Sequence, residues 1–359
     1  MELYIKRLRL KNFRNYKEQT IYFSPKTNIL CGDNAQGKTN VLEAIYMFAF
    51  GKSFRTQQER ETIFLGQHYT KIDILYDDSR RENSIEIIIL KDRKKQIKIN
   101  GVNITKLSEL LSKLSVVLFF PDELGLIKEG PFVRRRFLDV ALSGARPRYY
   151  HLLGKYNKIL DQRNNLIKKM RSLGENPIGD TLSVWNESLA SYGIELCRYR
   201  TDYVNKLCAV AKKIHLEATG EDLLVSYKTK FKTKEEMLEK IESSFTRELE
   251  QGCSLYGPHR DDIDIIINGK DAKSFASQGQ QRSAILSLKL AQAEILYEET
   301  GEYPILLLDD ILSELDFKRR SFLVKKIPDK QVIITCAGID EVFEGSNANI
   351  INVKDGHII

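Results

Sequence analysis

Gly32-Asp33-Asn34-Ala35-Gln36-Gly37-Lys38-Thr39 fits the pattern GxxxxGK[ST], in which glycines let a loop wrap without side-chain clash and successive backbone N–H groups converge on phosphate. The stretch lies where that geometry requires it. Ahead of it Asn28-Ile29-Leu30-Cys31 reads as a strand, and behind it Val41, Leu42, Ile45, Tyr46 and Ala49 fall on one helical face. Strand, loop and helix therefore follow in succession. Lys38 adds a mobile positive charge and Thr39 can ligate magnesium. The alternative, a chance match in a turn, would arise in roughly 1% of chains of this length at average composition.

A loop of this kind needs an acidic partner at the end of a neighbouring strand. The run Ile305-Leu306-Leu307-Leu308 ends in Asp309-Asp310. Asp309 is expected to hold the metal, and Asp310 to orient or deprotonate the attacking water. Alone, two aspartates closing a strand would more often be a turn or a helix cap, and Ser313-Glu314-Leu315-Asp316 beyond them could simply cap the next helix. With the upstream loop, the metal-and-water reading prevails.

Outward from these two motifs the chain divides by pattern. Leu3 to Phe13, then Ile21 and Phe23, read as strands. Ile85 to Leu90 and Ile97 to Ile99, broken by Asp77-Asp78 and Asn100-Gly101, suggest hairpins of a small antiparallel sheet between about 70 and 105. In the middle, Tyr149, Leu153, Tyr156, Leu160, Ile167 and Met170 take three-four spacing, as do Trp185, Leu189, Tyr192, Leu196, Tyr199 and Tyr203. Gly174, Pro177 and Gly179 separate the two runs, which predicts an antiparallel helical hairpin standing out as an arm. Residues 145–215 carry thirteen Lys or Arg against six Asp or Glu, a local excess as large as the +7 of the whole chain. A basic arm suits a polyanion, although a charge-rich exterior is also normal for such a helical pair. After about 250, Ile263 to Ile267, the 305–308 run and Val332-Ile333-Ile334 return as strands, the last two as buried parallel ones. A helix over 282–299 lies between them.

The chain of 359 residues could form one large core or two modest ones. Cys31, Cys197, Cys208, Cys253 and Cys336 show no CxxC pair, so neither a zinc site nor a disulfide framework is indicated. No apolar run approaches a membrane span, and the N-terminus is charged and alternating rather than signal-like. A cytoplasmic, nucleoid-associated location with no membrane partner is expected.

In order along the chain, the loop at 32–39, Ser277-Gln278-Gly279-Gln280-Gln281, ILLLDD and SELD resemble the motifs of ABC-type ATPase heads. More narrowly, KNFRNY at 11–16, GDNAQGKTNVLEAI, GKSFRT at 51–56, FFPDEL at 119–124, RRRFLD at 134–139 and YGPHRDD at 256–262 resemble the RecF family of bacterial recombination mediators over nearly the whole chain. That family is similar to the heads of SMC proteins, with a short helical arm in place of a long coiled coil. The resemblance implies an α/β fold: an ABC-type head with a mixed sheet core, an antiparallel β subdomain and an inserted helical arm. The expected division is 1–119 and 251–359 for the head and 120–250 for the arm.

It also implies ATP and Mg2+ as cofactors, an ATP-dependent homodimer and weak, DNA-stimulated hydrolysis. Expected partners are DNA at single-strand gaps or duplex junctions, and RecR, with RecO, in loading RecA. Carried over by position, the nucleotide contacts are Gly32, Asp33, Asn34, Ala35, Gln36, Gly37, Lys38, Thr39 and Asn40. Arg14 stands near the phosphates, and Ser277, Gly279 and Gln280 reach the nucleotide held by the opposite subunit. Arg14 could equally be a solvated residue beside a sheet, and Ser277 a helix cap. Lys38, Asp309 and Asp310 are the catalytic candidates, and Thr39 and Asp309 the metal ligands. Gln278 replaces the first glycine of the usual signature, and Asp310 stands where transporters carry glutamate; both favour slow hydrolysis. Thr335-Cys336 offers no histidine at the usual switch position, and His259 is read as structural.

Two other functions share parts of this pattern. A transporter energiser has the same motifs but docks on a membrane subunit through a short helical lobe, which the long basic arm disfavours. An SMC-like scaffold would tether DNA without a loading role, and a short arm speaks against long-range tethering.

Overall fold

The computed structural model describes residues 3–111, 113–173, 179–327, 330–338, 343 and 347–359. Two compact units emerge, one formed by Met1–Leu124, Glu217–Thr219 and Gln278–Ile359, the other by Gly125–Leu216 and Gly220–Ser277. Residues 251–277, which the sequence assigns to the head, thus lie in the second unit.

Period-two alternation builds the first sheet of the first unit. In β1 (Tyr4–Phe13) a register shift between Ile5 and Arg7 moves the buried set from Ile5 to Leu8 and Leu10. β2 (Tyr16–Tyr22) pairs with it, while β3 (Thr27–Cys31) and α1 (Lys38–Phe50) flank the phosphate loop. β4 (Tyr69–Asp77), β5 (Glu82–Leu90), β6 (Gln96–Ile99) and β7 (Val102–Asn103) complete an antiparallel sheet of order β2-β1-β4-β5-β6-β7. The antiparallel subdomain expected over 70–105 therefore includes the N-terminal strands as well.

Beyond β8 (Val116–Phe119) come the elements of the second unit. These are α2 (Gly125–Lys128), α3 (Pro131–Ala145), α4 (Pro147–Leu173), α5 (Gly179–Thr219), β9 (Leu223–Lys228), α6 (Lys234–Ser243), α7 (Phe245–Gln251), β10 (Asp262–Ile267), β11 (Lys270–Asp271) and α8 (Ala272–Phe275). The first unit resumes with α9 (Gln278–Thr300), β12 (Ile305–Asp309), α10 (Phe317–Lys326), β13 (Val332–Cys336), β14 (Asn349–Lys354) and β15 (His357–Ile358). Its second sheet has the order β15-β14-β3-β13-β12-β8, parallel throughout except for the terminal β14–β15 hairpin. β12 and β13 are buried at all five positions, as the continuous apolar runs require of strands covered on both faces. α1 departs from the one-faced helix expected: Glu43, Ala44, Met47 and Phe48 are buried as well, so it is enclosed on every side.

In the second unit α4 and α5 run antiparallel. Arg200 Nε donates to Tyr149 Oη at 2.9 Å, and Arg163 Nε to Asn186 Oδ1 at 2.8 Å, so the start of α4 meets the later part of α5. Gly174 and Pro177 lie outside the described residues; Gly179 opens α5. The pair is not a bare arm. α3 and α7 pack on α4, and α6 packs on α7. The same unit holds a three-stranded sheet, β11-β10-β9, which takes the Ile263–Ile267 strand that the sequence set beside the parallel ones. β9 was not anticipated, because its apolar run is short and its partner β10 is distant in sequence.

This unit has a polar interior. Arg163 and Glu248 are both fully buried, with Nη2 and Oε2 2.6 Å apart, and Arg163 Nη1 donates to Ser254 Oγ. His259 contacts Tyr156 Oη at 2.6 Å, and burial pushes its imidazole down to about 4, keeping it neutral as a structural residue. Of the thirteen basic residues of 145–215, Arg163 and Arg200 are therefore internal, and the others are at least partly exposed. Removing Arg163 leaves the buried Glu248 carboxyl without its ionic partner, which costs about 3–5 kcal/mol. Arg163→Ala is expected to lower the urea midpoint of this unit by that equivalent, whereas Lys168→Ala, on the solvated face, leaves it unchanged.

Candidate phosphate-binding site

α1 begins without a side-chain cap: Gly37 occupies the N-cap, and no acidic residue follows in the first turn. Its first amides are thus available to an anion, with the helix dipole behind them. Lys38, at the first helical position and only 8% exposed, bends back over the loop. Its ammonium donates to the carbonyl of Gly32 and, at 2.8 Å, to that of Asp33. The charge is held over the cradle by the cradle's own backbone.

β3 and β12 each neighbour β13, which brings the loop and the carboxylates to one sheet end. Thr39 Oγ1 donates to Asp309 Oδ1 at 2.8 Å, and Thr335 Oγ1, at the end of β13, donates to the same oxygen at 2.8 Å. Thr335 Oγ1 in turn accepts the Asp310 amide at 2.9 Å. Burial pushes the Asp309 carboxyl above the ordinary carboxylate range, opposed by the two threonine hydroxyls and the charge of Arg55. A desolvated carboxylate beside a hydroxyl is a donor set for a hard divalent cation. Thr39 and Asp309 could contribute to holding such an ion; among the described residues there is no cluster of three or more His, Cys, Asp or Glu that could hold a metal. Asp310 takes a left-handed backbone, φ 50°, which turns its exposed side chain off the strand line.

Arg14 is not a solvated residue: it is engaged with α1. Its guanidinium forks onto the fully buried Glu43 of α1, with Nε to Oε2 at 2.8 Å and Nη2 to Oε1 at 2.5 Å, and reaches the Glu61 carbonyl. Ser53 also donates to Glu43, while Arg55 Nη1 donates to Asn40 Oδ1 at 2.7 Å. KNFRNY and GKSFRT are thereby joined beneath the loop. Asn15 and Tyr16, which spacing alone did not single out, bind the loop itself: Asn15 Nδ2 donates to the Gln36 carbonyl at 2.9 Å and Tyr16 Oη to that of Gly37 at 3.2 Å. In the sequence Thr335 stands out only as a position that carries no histidine.

Ser277 directly precedes α9, and Gly279 and Gln280 lie in its first turn, so the helix starts four residues earlier than the apolar spacing indicated. α9 is tied to the segment after Asp310. Arg282 Nη1 donates to the Glu314 carbonyl at 3.1 Å and Arg319 Nε to Ser283 Oγ at 2.5 Å. Lys289 of α9 pairs with the partly buried Glu123 of FFPDEL, whose carboxyl desolvation raises despite the lysine.

A parallel sheet with a phosphate loop at one strand end, paired carboxylates at the same end of the next strand but one and a polar segment opening α9 define a P-loop ATPase head of the ABC and SMC class. The family described as RecF/RecN/SMC N terminal domain matches residues 4–357. The chain is 42% identical to the DNA replication and repair protein RecF of Clostridium tetani, covering 99% of this chain and all of that one, and 41% identical to its counterpart in Clostridium beijerinckii, covering 99% and 98%. A solved structure of the recombination mediator protein RecF with ATP, in the RecFOR pathway, superposes with a TM-score of 0.92 at 35% identity, covering 100% of this chain and 97% of that one. An SMC head bound to the C-terminal winged-helix domain of ScpA shares the fold alone, at a TM-score of 0.58 and 18% identity over 99% and 96%. The chain belongs to the RecF family.

Proposed function

We propose that this protein is an ATP-gated DNA clamp of recombinational repair. The loop 32–39 and Asn40 bind the triphosphate, two copies close on two nucleotides, and the closed pair holds DNA at single-strand gaps or duplex junctions. With RecR and RecO it helps to load RecA. The observation that carries this reading is the meeting of Thr39, Asp309 and Thr335 at one carboxylate oxygen, beside a loop whose helix is uncapped. It is supported by a RecF relative solved with ATP.

Each residue has a part. Lys38 and the loop amides neutralise the phosphates, and Asp310 orients the attacking water and accepts its proton. Thr39 and Asp309 would hold magnesium, which would supply charge neutralisation at the phosphate oxygens. Ser277, Gly279 and Gln280 meet the nucleotide of the opposite protomer, and the Arg282 and Arg319 contacts link that helix to the segment after Asp310. Arg14 supports the loop through Glu43. Hydrolysis is slow and DNA-stimulated, and it releases the clamp. The exposed lysines and arginines of 145–215 meet phosphate, which makes binding salt-sensitive. No helix among the described residues is long and apolar enough to cross a membrane, and the cytoplasm, at the nucleoid, is the proposed location.

Sedimentation with and without ATP, in the presence and absence of gapped duplex, tests nucleotide, dimer and partner together. A monomer that ignores ATP, or DNA binding unaffected by salt, would exclude the clamp.

A further inference from the structure

The phosphate loop is held by parts of the chain outside its motif. The Gln36 carbonyl accepts two hydrogen bonds, from Asn15 Nδ2 at 2.9 Å and from the Gly356 amide at 3.1 Å, which occupies both its lone pairs. The Gln36 side chain is engaged too, Oε1 accepting the Asp355 amide at 2.5 Å. Asn15 lies in the two-residue turn between β1 and β2, and Asp355–Gly356 form the turn between β14 and β15. Two hairpin turns therefore converge on one peptide of the loop.

The consequence follows from peptide planarity. In a trans peptide the N–H of one residue points opposite to the C=O of the residue before it. Holding the Gln36 carbonyl against the two turns aims the Gly37 amide away from them, and the Tyr16 bond to the Gly37 carbonyl aims the Lys38 amide in the same manner. The approach is close. A Cβ on Gly356 would lie 2.4 Å from the Asn15 carbonyl oxygen, and one on Gly32 would lie 2.2 Å from that of Val353 in β14.

We infer that the Asp355–Gly356 turn is a positioning element of the nucleotide site: with Asn15 it sets the direction of the Gly37 amide, and thereby the affinity for the triphosphate. The inference rests on the reading of 32–39 as the ATP loop. Gly356 touches no reacting atom. Its effect passes through Gln36, so it acts on nucleotide affinity and not on the Asp310 chemistry.

The structure contains a matched control. Asn100–Gly101, between β6 and β7, is the same kind of turn, with φ of 49° and 81° against 48° and 72° at Asp355–Gly356, but nothing lies within 4 Å of a Cβ at Gly101. Gly101→Ala imposes the same left-handed backbone strain without touching the loop. Binding of a fluorescent ATP analogue with magnesium, and steady-state hydrolysis, are measured for wild type and both variants. The expected result is a Kd and KM about tenfold higher for Gly356→Ala with kcat at saturating ATP unchanged, and wild-type values for Gly101→Ala. Equal affinity in Gly356→Ala and wild type would overturn the inference, and so would equal weakening in both variants, which would mark general turn strain. A wild-type protein that binds no ATP would overturn the assignment of the loop itself, and this inference with it.

Discussion

Lys38→Ala is expected to bind ATP at least about a hundredfold more weakly than wild type. A charge-assisted hydrogen bond contributes about 1.5–3 kcal/mol, and an ammonium in the cradle can make two, while every tenfold in affinity corresponds to about 1.4 kcal/mol. A second effect adds to this. In the wild-type loop the ammonium donates to the Gly32 and Asp33 carbonyls; alanine leaves both without that donor, so the loop's shape loosens together with its charge. Lys38→Arg is not a conservative rescue, because a planar fork cannot take the position of a compact ammonium. Calorimetric titration with Mg-ATP reads the result, and affinity within threefold of wild type in the alanine variant would remove Lys38 from the site.

Asp310→Asn should have the opposite profile: ATP bound as in wild type, turnover lowered by about a hundredfold or more, and a long-lived dimer. General-base removal costs about 10²–10⁴ in rate. The substitution is clean for a backbone reason. Asp310 has φ 50°, and asparagine tolerates that left-handed geometry as aspartate does, whereas alanine would add strain. The amide of residue 310 still reaches Thr335 Oγ1, so the threonine keeps its place between the two carboxylate positions. Single-turnover hydrolysis and sedimentation in ATP separate binding from chemistry. Should Asp310→Asn hydrolyse ATP at the wild-type rate, another group must handle the water.

The two motifs were legible because each is short, local and chemically demanding: a glycine-rich loop between strand and helix, and an apolar strand that stops at carboxylates. Their meeting at Asp309 Oδ1 was implied only by a general rule about such loops. Thr335 was hidden, since a hydroxyl at a strand end has no distinguishing spacing and its importance comes from β13 lying between β3 and β12. Arg14 was visible as a residue but not in its contacts, because Glu43, its partner, looks like an ordinary solvated position of a helix until α1 is found to be enclosed. Basic charge along 145–215 likewise misled in part: Arg163 and Arg200 are ionic ties within the second unit. Only tertiary packing separates an arginine that faces water from one that holds helices together.

The placement of β3 between β13 and β14 has a bearing on how the protein is made. The strand that leads into the phosphate loop emerges early in synthesis, yet neither of its hydrogen-bonding neighbours exists until the ribosome has passed Val332. Even the buried bond from the Ile5 amide to Gln331 spans 326 positions. A nascent chain must therefore carry an unpaired apolar strand edge through most of translation, the circumstance in which parallel sheets form slowly and aggregate readily. Chaperone dependence during expression, and sluggish recovery after denaturant is diluted away, are the natural companions of this strand order.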